Sequence, residues 1–252
     1  MTELRQRVYR SAKEIIAWVE QHFAQRYSLR GMHDLLARLN FSFQKGRLIP
    51  GKANVAAQQT FVAAYQELQA ELQPDDRVYF MDGVHPMYNV QPGYGWAPRG
   101  ERFGLPSTPG RQRYNILGVY GPQDGEYLDI QTTDTLNAQT VILLGDKIQQ
   151  AHPTGRNIIF CDNVRYQHAK IVQEHFAQTN VELRFLPAYA PNLNLIERLW
   201  RFMKATVLSI YYPTFDAFVQ AIREFFDHLD CYADDLSSLM TEKFEILEPV
   251  TR

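Results

Sequence analysis

The stretch Leu186 to Lys204, LPAYAPNLNLIERLWRFMK, sets one carboxylate, Glu197, early in an otherwise apolar and basic helix. Pro187 and Pro191 bracket Tyr189 in a turn, and Asn192 or Asn194 is placed to cap a helix whose Leu195, Ile196, Leu199, Trp200, Met203 and Val207 recur at spacings of three and four. An acid in the first turn is ordinarily explained by the helix dipole. Two earlier aspartates change that reading. Val78-Tyr-Phe-Met-Asp82 and Asn157-Ile-Ile-Phe-Cys-Asp162 are short apolar runs of buried-strand character, and each ends in Asp. Such strands deliver their last side chains to one edge of an open α/β sheet, where ligands bind, and a helix crossing that edge would add Glu197. Three carboxylates repel one another unless a cation sits among them. Oxygen donors of this kind suit Mg2+ or Mn2+ rather than zinc. Two such ions, roughly 3.5 to 4 Å apart, activate an attacking oxygen and stabilise the leaving one at phosphorus, so phosphodiester cleavage or strand transfer is the implied chemistry.

Outward from these runs, strands and helices alternate. Residues 87 to 97 are expected to return beside the Asp82 strand, and Tyr114 to Tyr120 and Tyr127 to Thr132 form two strands around Gly121-Pro-Gln-Asp-Gly125. A helix from Asn137 to Gln150, a helix from Tyr166 to Gln178 and a strand from Val181 to Leu186 complete the series before the Glu197 helix. This order implies an α/β fold with a mixed sheet and helices on its faces. Thr214 to Leu229 is a further amphipathic helix, expected to cover the sheet.

The N-terminal part has a different character. Residues 3 to 25 read as one amphipathic helix, with Leu4, Val8, Ile15, Val19 and Phe23 along one side. Ser28 is placed to cap a second helix, Leu29 to Leu39, which offers Arg30, His33 and Arg38 and ends at Asn40. Phe41 to Arg47 then alternates like a strand with a basic tip at Lys45 and Arg47. This is the order of a winged helix-turn-helix, whose helix enters the major groove and whose wing touches the backbone; a small helical bundle with a solvated basic face would look similar. Val55 to Leu72 reads as a helix linking this segment to the main domain. The domains expected are a DNA-binding segment at 1–52, a linker helix at 53–75, a catalytic domain at 76–212 and a helix with an acidic tail at 213–252.

Charge follows the same division. The net charge is −2, but residues 1 to 56 carry ten Lys and Arg against four Asp and Glu, which marks that end for DNA contact. The glycine- and proline-rich segment 83–113 adds Arg99, Arg102, Arg111 and Arg113, either to hold DNA phosphates beside the acidic site or as the incidental charge of a solvated loop. Trp96 in that segment is expected in the core. Near the acids, Asn163 and His168 are candidates for supporting the site or for a helix-start or structural role, Asn194 for supporting the site, and His85 for a site or a turn role. No apolar run reaches the length of a membrane span and no signal-peptide block is present, so a cytoplasmic protein without membrane contact is expected. Cys161 and Cys231 form no zinc spacing and no disulfide framework. Neither a phosphate-binding glycine loop followed by Lys and Ser/Thr nor a nucleophile elbow occurs.

Three runs together, FMDGVHPMYNVQPGYGWAPRG, FCDNVRYQHA and LPAYAPNLNLIERLWRFMK, resemble the signature blocks of the mariner-superfamily transposases, in the branch found in bacterial insertion sequences. The 34 residues between Asp162 and Glu197 match the spacing of that superfamily's second and third acids, and YSLRGMHDLLARLNFSFQKG resembles its second, winged helix-turn-helix subdomain. The resemblance implies a ribonuclease H-like (retroviral integrase-like) catalytic domain whose Asp, Asp, Glu metal triad falls on Asp82, Asp162 and Glu197. It also implies a place near the DNA path for Trp96, otherwise expected in the core. It further implies cleavage at the terminal inverted repeats of a mobile element, joining to target DNA at TA, and a homodimer or higher assembly on paired ends. Leu195 stands where the family commonly has proline, and about 25 residues precede Tyr27 where members carry a complete further helix-turn-helix, so the DNA-binding region reads as shortened. Two other readings are a DNA-binding regulator or inactive remnant that keeps the fold, and a ribonuclease H-like nuclease acting on hybrids.

Overall fold

The computed structural model describes residues 3–4, 7–45, 49–92, 96, 98, 104–108 and 110–249. Two compact units divide at Ile49 and Pro50. Among the described residues no helix is long and apolar enough to cross a membrane.

In the first unit, helix α1 spans Ala12–Phe23 and helix α2 spans Leu29–Arg38. The single helix expected over residues 3 to 25 is broken because Ser11 caps α1: its Oγ accepts from the Glu14 amide, and the Glu14 carboxylate accepts from the Arg10 amide at 3.1 Å. Ser-x-x-Glu at this position is a capping signal that outweighs the apolar periodicity running through it. Val8, outside the helix, is 91% exposed. Ser28 caps α2 as expected, with Gly31 N–H donating to its Oγ at 3.0 Å, and Asn40 ends the segment in the left-handed region at φ 60°. Met32 and Ile15 are buried, whereas Arg30, His33 and Arg38 are exposed. The strand expected from Phe41 is not formed over residues 41 to 45, and Phe43 is exposed; Arg47 lies outside the described residues.

The second unit begins with helix α3, Val55–Glu71, capped by Asn54. Strands β1 (Arg77–Val84), β2 (Asn115–Tyr120) and β3 (Tyr127–Thr132) come next, then helix α4 (Ala138–Ala151) capped by Asn137, strand β4 (Asn157–Cys161), helix α5 (Lys170–Phe176) and strand β5 (Val181–Phe185). Helices α6 (Ile196–Val207), α7 (Phe215–Asp227) and α8 (Ala233–Leu239) complete the chain. The sheet order is β3-β2-β1-β4-β5, antiparallel among the first three strands and parallel from β1 through β5. This is the mixed sheet expected. Residues 87 to 92 do not return as a strand, and Met87 and Arg113 form a single bridge; residues 93 to 95 and 97 of the expected return lie outside the described residues. Helix α5 starts four residues later than its periodicity predicts, because residues 164 to 168 turn on themselves through Gln167 N–H to Val164 C=O and His168 N–H to Arg165 C=O.

Alternation along β1 sorts the core into two layers. Val78, Phe80 and Val84 join Phe61, Tyr65, Phe160, Leu199, Trp200 and Phe218 on the face covered by α3, α6 and α7, while Tyr79 and Met81 join Val141, Leu144, Ile148 and Phe176 beneath α4 and α5. Helix α3, expected as a linker, therefore belongs to the core of the sheet unit. At the far end of the sheet, buried Asp76 accepts from the Arg156 guanidinium at 2.7 and 3.0 Å and from the Arg156 amide at 2.8 Å, which joins the entries to β1 and β4.

Those hydrogen bonds hold the Asp76 carboxyl down at about 2. A carboxyl lowered on folding stabilises the fold above its ordinary pKa and loses that contribution as pH falls towards the folded value. Asp76→Asn is expected to lower the melting temperature at pH 7 and to remove part of the acid-induced loss between about pH 4 and pH 2; equal melting curves for the two proteins across that range would contradict it.

Candidate active site

The register of β1 against β4 ends at Met81 opposite Cys161, so Asp82 and Asp162 follow side by side at the carboxyl edge of two parallel strands. Helix α6 lies across this edge on the face that carries Phe80 and Phe160, burying Leu199, Trp200 and Met203 and presenting Glu197 from its first turn. All three carboxylates are half-buried. Burial, then Glu197, then Asp162 push Asp82 up to about 8. Burial and the Asp162 charge push Glu197 up, and burial pushes Asp162 up. Three acids from three elements thus share one electrostatic neighbourhood. Among the described residues, however, no three His, Cys, Asp or Glu side chains stand close enough to form a complete ion-binding group. The donor chemistry fits a hard divalent cation: three carboxylates, no imidazole or thiolate, and a shared excess of negative charge.

Neighbouring side chains orient these acids. The Trp200 indole N–H donates to Asp82 Oδ2 at 3.1 Å. Trp200 reaches Asp82 because residue 118, directly opposite Asp82 on β2, is glycine: a Cβ there would stand 2.7 Å from the indole and 3.0 Å from the Tyr127 ring. Asn194 is buried and donates through Nδ2 to the Met81 carbonyl at 3.0 Å, while its amide also opposes the rise of the Asp162 pKa. Asn194 is therefore engaged with the strand ends and does not cap α6. Asn192 does not cap it either, donating instead to Gln58 Oε1 and the Glu245 carbonyl; the helix starts from Leu195 with no side-chain cap. Lys204 and Arg201, seven and four residues beyond Glu197 and on the same side of α6, offset part of the rise that burial and Asp162 impose on its pKa. Tyr166 lies within the field of both aspartates, which together with burial raises its hydroxyl.

The other sequence-predicted residues are placed as follows. Asn163 donates to the Leu186 carbonyl at 2.7 Å and ties the end of β4 to the end of β5. His168 stacks on Phe185 with ring centroids 3.9 Å apart. His85 shares a 2.7 Å hydrogen bond with Asn115, whose Nδ2 holds the Asp134 carbonyl. Arg111 and Arg113 are exposed, and Arg113 reaches Thr135 Oγ1 at 3.4 Å. Lys45 is exposed in the first unit, and Arg99 and Arg102 lie outside the described residues. Trp96, expected in the core, is fully exposed. The sequence reading missed the Trp200 to Asp82 bond and the part of Gly118. The one available signal was a glycine inside the apolar strand NILGVY, which marks a close approach.

Two outcomes follow. Trp200→Phe keeps the ring but removes the donor, and any metal-dependent activity should fall by roughly 10- to 100-fold; Gly118→Ala should do the same while lowering stability by about 1 to 3 kcal/mol, and wild-type rates in both would contradict the arrangement. A carboxyl raised on folding contributes fully below its ordinary pKa and loses that contribution as pH climbs through the folded value. Metal-free protein is therefore expected to lose melting temperature between about pH 4 and pH 8, the window set by Asp82, and Asp82→Asn to flatten that slope.

The family model described as DDE superfamily endonuclease matches residues 77–219, more than half of the 252-residue chain, and one described as winged helix-turn helix matches residues 6–65. No curated protein matches the chain. Among solved structures, the Mos1 transposase paired-end complex with left transposon end is similar at a TM-score of 0.66 and 17% identity over 97% of this chain and 78% of that one. A pre-cleavage Mos1 transpososome is similar at 0.67 and 14% identity over 98% and 78%. The mariner Mos1 paired end complex with Mg is similar at 0.65 and 18% identity over 93% and 70%. At such identities the likeness is one of fold. With strand-end aspartates and a helix-borne glutamate inside the residues matched, the chain belongs to the DDE superfamily of endonucleases.

Proposed function

We propose that this DDE endonuclease is a mariner-like DNA transposase, which cuts DNA at the ends of a mobile element and joins the released 3′ hydroxyls to target DNA at TA by transesterification. The observation that supports this reading best is that Asp82 and Asp162 follow the paired ends of β1 and β4 while α6, packed over that edge, carries Glu197 in its first turn. The fold it shares with transposases solved on transposon ends and with Mn or Mg supports the substrate and cation class. Asp82, Asp162 and Glu197 are assigned to hold Mg2+ or Mn2+, two ions in the working site, which would supply Lewis-acid stabilisation of the charge that develops at phosphorus. Trp200 and Asn194 keep the aspartates oriented, and Arg201 and Lys204 offer positive charge beside them.

Arg30, His33 and Arg38, exposed together on α2, are assigned to the DNA of the terminal repeats, with Lys45 and Arg47 on backbone phosphates. Arg99, Arg102, Arg111 and Arg113 are assigned to DNA next to the catalytic edge. The working assembly in this reading is a homodimer or larger on paired ends.

Asp82→Asn, Asp162→Asn and Glu197→Gln are each expected to reduce magnesium-dependent cleavage of terminal-repeat duplexes to background while retaining gel-shift binding. Cleavage at the wild-type rate in any one removes that residue from the triad. Binding by the wild-type chain without cutting in either Mg2+ or Mn2+ would favour the regulator reading, and cutting of RNA–DNA hybrids alone the nuclease reading.

A further inference from the structure

Helix α6 enters the site without a side-chain cap at Leu195; Ile196 and Leu199 anchor its apolar side in the core, and its polar side is held by other hydrogen bonds. A rotation of one residue, about 100°, would carry Glu197 off the site. What holds this end comes from far along the chain. Arg198 donates through Nη1 to the carbonyls of Leu239 (3.1 Å) and Thr241 (2.6 Å) and through Nη2 to that of Lys243 (2.9 Å). Those acceptors lie at and just past the end of α8, where a helix leaves its carbonyls unpaired. The same segment continues to Phe244, whose ring packs against Phe61, Tyr65 and Phe80, and to Leu247, whose amide and carbonyl both pair with the side chain of Gln58 at 3.0 Å.

Gln58 is wholly buried on α3, and its Oε1 also accepts from Asn192 Nδ2 at 2.8 Å. Asn192 Nδ2 donates as well to the Glu245 carbonyl at 2.7 Å. Asn192 sits in the 3-10 turn Pro191–Leu193, immediately before Asn194 and α6. The segment 239–247 therefore grips the chain on both sides of Glu197, five residues before it and one residue after. We propose that this segment is a strap that sets the position of Glu197, with Arg198 and Asn192 as positioning residues for the reaction. The proposal rests on the assignment of Glu197 as a metal-holding acid.

The test uses the full chain without DNA, with Mn2+ binding followed by electron paramagnetic resonance, alongside terminal-repeat binding, melting temperature and cleavage. Arg198→Met is expected to weaken Glu197-dependent Mn2+ binding about tenfold, with a matching drop in cleavage, unchanged DNA affinity and partial recovery in Arg198→Lys. Asn192→Ala, which loosens the strap from the other side and leaves Arg198 intact, should act in the same direction and decides the matter if Arg198→Met does not fold. In a Glu197→Gln background Arg198→Met should cause no further loss, since its effect passes through that carboxylate. Wild-type Mn2+ affinity in folded Arg198→Met or Asn192→Ala would overturn the strap, as would an Arg198→Met loss that persists undiminished in the Glu197→Gln background. Mn2+ binding that Glu197→Gln leaves untouched in the otherwise wild-type chain brings down the assignment of Glu197 itself, and the strap's role with it.

Discussion

Parallel pairing of β1 with β4, with Met81 opposite Cys161, forces the next residue of each strand, Asp82 and Asp162, into adjacent places on one face of the sheet. Two carboxylates so placed and half-buried are a standing electrostatic cost. Glu197 increases it: Asp82 is driven up to about 8 by burial and by both neighbours. Much of the second unit can be understood as what is needed to keep this arrangement in place. At the opposite end of the same two strands, Asp76 and Arg156 join the chain entering β1 to the chain entering β4. A slip of one residue there would put Asp82 and Asp162 on opposite faces of the sheet.

The edge holding the acids is built from unlike parts that interlock. Gly118 leaves the space that the Trp200 indole fills, and Trp200 uses that space to reach Asp82 with its N–H. Asn194 ties the Met81 carbonyl to the turn before α6, so the β1 terminus and the helix start are connected through one buried amide. These contacts link packing to chemistry directly. The ring that fills the core on one side of α6 is also the donor to the Asp82 carboxylate.

Charge is distributed with the same economy. The acids are drawn from strand ends and a helix start, whereas Arg201 and Lys204 stand on the same side of α6 and offset part of the charge at Glu197. Arg198, their neighbour, has a different duty, since its guanidinium is taken up by the carbonyls of the C-terminal segment. Adjacent cations on one helix are thus separated into one that builds the fold and two that stand in the field of Glu197.

The sequence alone determined the elements whose signals are local: apolar runs ending in Asp82 and Asp162, the 3.6-residue pattern of α6 and α7, and the cap Ser28. Those runs also implied the mixed sheet and the meeting of three carboxylates, because alternation and strand-end placement are properties of the chain itself. Where two local signals compete, periodicity runs one helix through Ser11, although Ser11 caps the Glu14 amide and the Glu14 carboxylate accepts from the Arg10 amide. Only the tertiary structure decided what Asn192, Asn194, Arg198 and Trp200 do, because each has a partner 41 to 134 positions away. A residue's hydrogen-bonding capacity is written in its side chain, but which distant carbonyl or carboxylate receives it is set by the register of the sheet and the path of the tail across it.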